Sequence, residues 1–335
     1  MMATGRFPSS CRDLPLLVLA ALALLAAPAS AVVVTNEFAV PTVDGAPNGI
    51  TTGPDGNLWF TEYNGNRIGR ITPSGVVTEF TVPTAYGAPS SITTGPDGNL
   101  WFTESTGNRI GRITTAGAVT EFAAGGGPSG IVAGPDGNLW FTEVSGNRIG
   151  RITTAGAVTE FTLPTADSYP HQITSGPDGN LWFTEYGGNR IGRITTAGVI
   201  TEFTVPTARA ALTGITSGPD GNLWFTEYLG NRIGRITPSG VVTEFAIPTE
   251  ESAPFGITTG PDGALWFTES NGNRIGRITT SGVVTEFGIP TAASCPHRIT
   301  TGPDGALWFT ENGVHKIGRL VASPAPVEVV SIGVD

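Results

Sequence analysis

The chain repeats one short alternation of apolar and polar positions. In "GITTGPDGNLWFTEYNGNRIGRITPSGVVTEFTVPT" four apolar-rich runs, "GIT", "LWFTE", "RIGRIT" and "VVTEFTVPT", are separated by "PDG", "NGNR" and "PSG". Runs this short, alternating large apolar residues with others, predict strands. The separators are turn chemistry: Pro presets φ, and Gly accepts the positive φ that other residues resist. No window keeps a helical period over a useful length.

Tryptophan sets the larger period. Trp59, Trp101, Trp140, Trp182, Trp224, Trp266 and Trp308 are spaced 42, 39, 42, 42, 42 and 42 residues apart. A repeat of about 40 residues with four strand-like runs predicts the blade of a β-propeller. The ends of the pattern predict closure. "VVVTNEFAVPT", from Val32, matches only a fourth strand, and the last repeat stops after its third, at "KIGRL". Residues 32–42 are therefore expected to complete the blade that begins at Pro296, leaving no exposed sheet edge. The prediction is all-β: a seven-bladed propeller of four-stranded blades over residues 32–320, with residues 321–335 as a C-terminal tail.

Residues 1–31 stand outside the repeat. Arg6 and Arg12 precede the apolar run Leu16 to Ala27, and Ala29-Ser30-Ala31 follows. This is the order of a cleaved secretory signal, and the run falls short of the roughly 20 residues a spanning helix needs. The expected location is secreted or periplasmic. Cleavage removes Cys11 and leaves Cys295, which excludes a disulfide within the mature chain; Cys295 reads as a small buried side chain. The net charge of −10 lacks the basic stripe that phosphate backbones require, so nucleic acid is not an expected partner. Anionic membrane surfaces are disfavoured for the same reason.

Whatever every blade shares is most simply scaffold. The Glu of "LWFTE" (Glu62, Glu104, Glu143, Glu185, Glu227, Glu269, Glu311) recurs with the two cations of "NRIGR", and the expectation is repeated ion pairing between them. Function belongs where blades differ. One position before each "IT" or "IV" runs Asn48, Ser90, Ser129, His171, Thr213, Phe255, His297, and the usually small next residue becomes Gln172 and Arg298. The loop between second and third strands, on the same face, offers Tyr63, Tyr186, Tyr228, Asn312 and His315. All three histidines of the chain thus fall on one face. An imidazole with an ordinary pKa near 6.5 suits a general base at neutral pH, and His297 is the foremost candidate.

The repeat text resembles that of the virginiamycin B lyase (streptogramin lyase) family over residues 32–320. The resemblance implies a monomeric seven-bladed propeller that needs magnesium and opens a cyclic depsipeptide antibiotic by elimination at its ester. In such chemistry a base takes the proton α to a carbonyl, a cation steadies the enolate-like charge and the ester oxygen leaves. The family carries Pro-His in the sixth blade, acid-Pro-His in the last, and a Glu just after the last Trp strand. The last-blade His falls on His297, behind Pro296, which makes it the implied base. The sixth-blade His falls on Phe255, the acid on Cys295, and the late Glu near Asn312, one residue after Glu311. Phe255 supplies no imidazole, and Cys295 removes a hard oxygen ligand from magnesium; Glu250 and Glu251 are candidates to restore carboxylates.

Three functions fit these residues. One is a lyase with His297 as base and Arg298 or a metal steadying charge. Another is a non-catalytic extracellular propeller that binds a peptide, glycan or small molecule through Tyr63, Tyr186, Tyr228 and Phe255. The third is a lactonase-like hydrolase, which would want several carboxylates converging on a calcium ion.

Overall fold

The computed structural model describes residues 34–321; the expected export signal and the tail beyond Val321 lie outside them. The described chain forms seven antiparallel sheets of four strands each. Six sheets take their strands in sequence order. The seventh joins the strand Val34–Ala39 to Pro296–Thr301, Leu307–Glu311 and Lys316–Val321. Its register runs from Val34 opposite Val321 to Ala39 opposite Lys316, so the first described strand closes the ring as the repeat pattern predicts.

Every residue of each "LWFTE" strand is buried, because both of its faces are covered. Trp308 of the last blade packs with Leu58, Phe60 and Ile71 of the first, and the same exchange recurs around the ring. Two glycines permit it. A side chain at Gly69 would meet the Phe60 ring at 2.0 Å, and Gly75 combines φ +93° with the Phe38 ring of the preceding blade at 2.2 Å, a conformation that glycine adopts at little cost.

Threonines tie blade to blade near the axis. Thr61 Oγ1 accepts from the Gly49 amide and donates to the Ser90 carbonyl of the next blade, both at 2.8 Å. Thr310 repeats this across the seam, donating to the Asn48 carbonyl at 2.8 Å. A second circuit runs through Thr94 to Thr52, Thr52 to Thr301 and Thr301 to Thr259, each 2.8 Å. The seam is bonded like any other junction.

The expected pairing of the "LWFTE" glutamates with arginine does not occur, with one exception. The second arginine of each motif is used elsewhere: Arg70 lies 5.6 Å from the Trp59 ring and donates to the Thr115 carbonyl of the next blade. Asp55 accepts from Trp59 Nε1 at 3.0 Å and stands 4.0 Å from Arg70. In three blades the first arginine reaches the outer-strand glutamate, as Arg67 does to Glu79 at 3.8 Å, Arg148 to Glu160 at 2.8 Å and Arg190 to Glu202 at 3.9 Å. Glu62, Glu104, Glu185, Glu227, Glu269 and Glu311 keep both carboxyl oxygens buried without a hydrogen-bond partner among the described residues. The exception is Glu143, bonded to Arg148 at 2.9 Å. The loop into that blade is the short one, and Arg148 also reaches Glu160 at 2.8 Å.

Desolvation, and then a facing outer-strand glutamate, pushes these carboxyls up. Glu62, Glu104, Glu227, Glu269 and Glu311 rise to about 8, and Glu143 and Glu185 to about 7. Apart from the Arg148-bonded Glu143, they are buried acids that hold their protons, because a charge without a partner is far costlier to bury than a neutral carboxyl.

Candidate functional site

Each first strand pairs with the second irregularly. In the last blade Pro296 faces Glu311 and Ile299 faces Phe309, so three steps on one strand match two on the other. All seven blades carry this bulge, from Pro47/Ile50 to Pro296/Ile299. A bulge frees its residues from the ladder and re-aims their side chains. The two positions where the blades differ most in sequence are the bulged residues.

Phe255 is the hub of the cluster they form. Its ring stacks on the His297 imidazole with centroids 3.6 Å apart. His171 meets it edge-on at 5.6 Å, Tyr228 edge-on at 6.1 Å, and the Arg298 guanidinium sits 4.9 Å from its centroid. Tyr186 joins through His171 at 6.4 Å. Six of the residues singled out by sequence (His297, Arg298, His171, Phe255, Tyr186 and Tyr228) are thereby brought together from four blades.

Asn312 and His315 lie apart from this cluster. Asn312 Nδ2 donates to the Pro47 carbonyl at 3.2 Å, and its amide donates to the Cys295 carbonyl at 3.2 Å. His315 occupies the position of the scaffold asparagine of the other blades and shares its backbone, with φ 55° against 52° for Asn66. Its Nδ1 accepts from the Ala46 amide at 3.3 Å, much as Asn189 Oδ1 accepts from Ala210. Its Nε2 faces Asp44 at 3.1 Å. His315 is thus a seam substitute for asparagine. Its contacts lie across the seam, and the sequence signal that distinguishes it from His297 is its equivalence to Asn66.

The local field disfavours positive charge on both clustered histidines. Desolvation, then Arg298, lowers His171 to about 3, with only the Thr213 carbonyl opposing. Desolvation, Arg298 and His171 together carry His297 well below the ordinary imidazole range. Desolvation also lowers Arg298 to about 10 and raises Tyr186 and Tyr228. Both imidazoles are neutral at ordinary pH. His297 Nδ1 donates to Asn48 Oδ1 at 2.9 Å, leaving Nε2 as an acceptor. The bond crosses the seam, so its two partners are 249 residues apart in sequence. A base whose conjugate acid is this strong takes protons poorly.

A magnesium site does not fit these residues. No group of three or more His, Cys, Asp or Glu among the described residues could hold a metal ion. At the position of the implied acid, Cys295 is buried with φ 48°. Glu311, beside the position of the implied late glutamate, is one of the protonated scaffold acids. Glu250 and Glu251 do not restore the set: both are exposed, and Glu251 lines a separate pocket of about 310 Å³ with Tyr228, Leu229 and Asn271.

Comparison with known proteins supports one relationship. The model of the virginiamycin B lyase family matches residues 31–216 and 201–332. A streptogramin B lyase structure superposes with a TM-score of 0.83 and 43% identity, covering 86% of this chain and 97% of that one. A catalytically inactive histidine-to-alanine variant of virginiamycin B lyase from Staphylococcus aureus, solved with quinupristin, gives 0.83 and 44%, covering 86% and 99%. Virginiamycin B lyase from Bacillus licheniformis is 50% identical over 40 residues, which span 12% of this chain and 14% of that protein.

Proposed function

The chain belongs to the virginiamycin B lyase family, and on that premise we propose that its top face binds a small cyclic peptide or depsipeptide without the family's metal-assisted elimination. The observation that carries this reading is the Phe255–His297 stack at 3.6 Å. The residue implied as base is packed against a phenyl ring where the family places a second imidazole. Tyr186 and Tyr228, beside the buried Phe255, offer apolar rings with polar tips, which suits a rigid ring that presents both aromatic groups and amides. His297 Nε2 is free to accept a hydrogen bond from such an amide. We place the protein outside the cell as a monomer, a reading that rests on residues 1–31 and on the family resemblance.

One observation favours a second reading. The bond to Asn48 orients His297 with Nε2 unprotonated, the tautomer a base requires. Elimination in which Arg298 instead of a metal steadies the developing charge would use that tautomer.

Calorimetric titration with quinupristin tests the binding proposal. Saturable binding of equal affinity with and without magnesium is expected, weakened at least about tenfold by Phe255→Ala. No binding, or binding that requires magnesium, would count against it.

A further inference from the structure

The first strands of the blades converge on a partly open cavity of about 80 Å³. Its wall is mostly the isoleucines that follow each bulge: Ile50, Ile92, Ile215, Ile257 and Ile299. The second bulged residue comes just before them. In four blades it is glycine, because the next blade's backbone presses against it; a side chain at Gly49, Gly130, Gly214 or Gly256 would meet a carbonyl oxygen within 2.8 Å. Only the second, fourth and seventh blades carry side chains here. They are Ser91, Gln172 and Arg298, and all three line the one cavity.

Two of these side chains are chemically incomplete. Gln172 Oε1 is buried with no hydrogen-bond partner among the described residues. The Arg298 guanidinium makes no ion pair or hydrogen bond among them and lies over the face of Phe255. A buried acceptor and a desolvated guanidinium without partners each cost free energy. They are complementary halves of a recognition site: Arg298 offers parallel donors to an oxyanion, and a rotation of the Gln172 side chain, which already lines the cavity, turns its unpartnered Oε1 toward a hydroxyl or amide. They come from the fourth and seventh blades, so a ligand between them would be held from two sides, with isoleucine around it. The space suits a ligand of roughly five or six heavy atoms.

We propose that the cavity is a binding site for a small 2-hydroxy carboxylate, its carboxylate on Arg298, its hydroxyl on Gln172 and its short alkyl group against the isoleucines. The site shares Arg298 with the cluster around Phe255, while Gln172, Ser91 and the isoleucines of its wall lie outside that cluster.

Calorimetry or ligand-observed NMR with L-lactate as the probe tests it, with propionate as the matched carboxylate lacking the hydroxyl. The wild-type protein is expected to bind lactate saturably and propionate at least about tenfold more weakly, the difference of one hydrogen bond. Arg298→Gln should lower lactate affinity by about tenfold or more, and Arg298→Lys less. Gln172→Leu should bring lactate and propionate to near parity. Unchanged melting temperatures would show that the variants keep the fold. No saturable lactate binding, equal affinity for both acids in the wild type, or full affinity in Arg298→Gln would each overturn the proposal.

Discussion

Replacing Glu104 by glutamine should stabilise the propeller at alkaline pH and not at acid pH. Glu104 is fully buried. Its Oε2 sits where a side chain at Gly87 or Gly107 would collide with it, at 2.6 and 3.1 Å. Desolvation and then Glu121 raise its carboxyl from 4.5 to about 8, against a smaller opposing effect of Arg109. The unfolded chain loses this proton near pH 4.5, whereas the folded chain keeps it until about pH 8. The stability the acid contributes is therefore fully present below pH 4.5 and is lost as pH rises through 8. Keeping the proton until about pH 8 instead of 4.5 corresponds to a full change on the order of 5 kcal/mol for this one site. Glutamine has no proton to lose, and any mismatch of its amide costs the same at every pH. The melting temperature of Glu104→Gln minus that of the wild type, measured by calorimetry from pH 4 to 9, should be flat below pH 4.5 and rise up to pH 8. A difference independent of pH would refute the idea that these acids are buried protonated.

Three further outcomes follow from the same geometry. Ala133 interrupts the outer circuit of hydroxyls, since Ser175 donates to its carbonyl at 2.8 Å but it has no hydroxyl to pass on to Thr94. Ala133→Ser should add about 1 kcal/mol and about 2 °C in melting temperature; a loss would show that the rim has no room for the bond. Thr310→Val at the seam and Thr103→Val within the ring should each cost about 1–3 kcal/mol in urea unfolding, because each strands an amide and a carbonyl. A seam variant of negligible cost would mean that the ring is not closed there. In NMR titrations the His297 and His171 ring signals should stay those of neutral imidazole through pH 5, and Arg298→Gln should move both pKa values upward; unchanged values would remove Arg298 as a cause.

The sequence discloses the ring almost completely, because its determinants are local. Tryptophan spacing, Pro and Gly turns and an unmatched fourth strand at the start of the repeat specify blade number, strand order and the seam. The partners of charged groups are less legible. Glu62 and Arg67 face each other in register, so pairing is the natural expectation, yet Arg67 turns to Glu79 and leaves a protonated acid behind. That choice depends on where the preceding loop places Thr42, which also bonds Glu79. The bulge is equally silent, since "PHRIT" and "PNGIT" read as plain strand starts. It nonetheless explains why His297 and Arg298, adjacent in sequence, both reach the axis. That Gln172 and Arg298 line one cavity, and that Asn48 bonds His297, follows only from ring closure.

Whether the family's chemistry survives here is decided most directly by incubating the purified protein with quinupristin and magnesium and separating the products by liquid chromatography with mass detection. Elimination linearises the ring at unchanged mass, whereas hydrolysis adds one water. The stacked and neutral His297, with no metal site among the described residues, predicts recovery of intact cyclic quinupristin. A linear product of unchanged mass whose formation depends on magnesium would contradict that prediction.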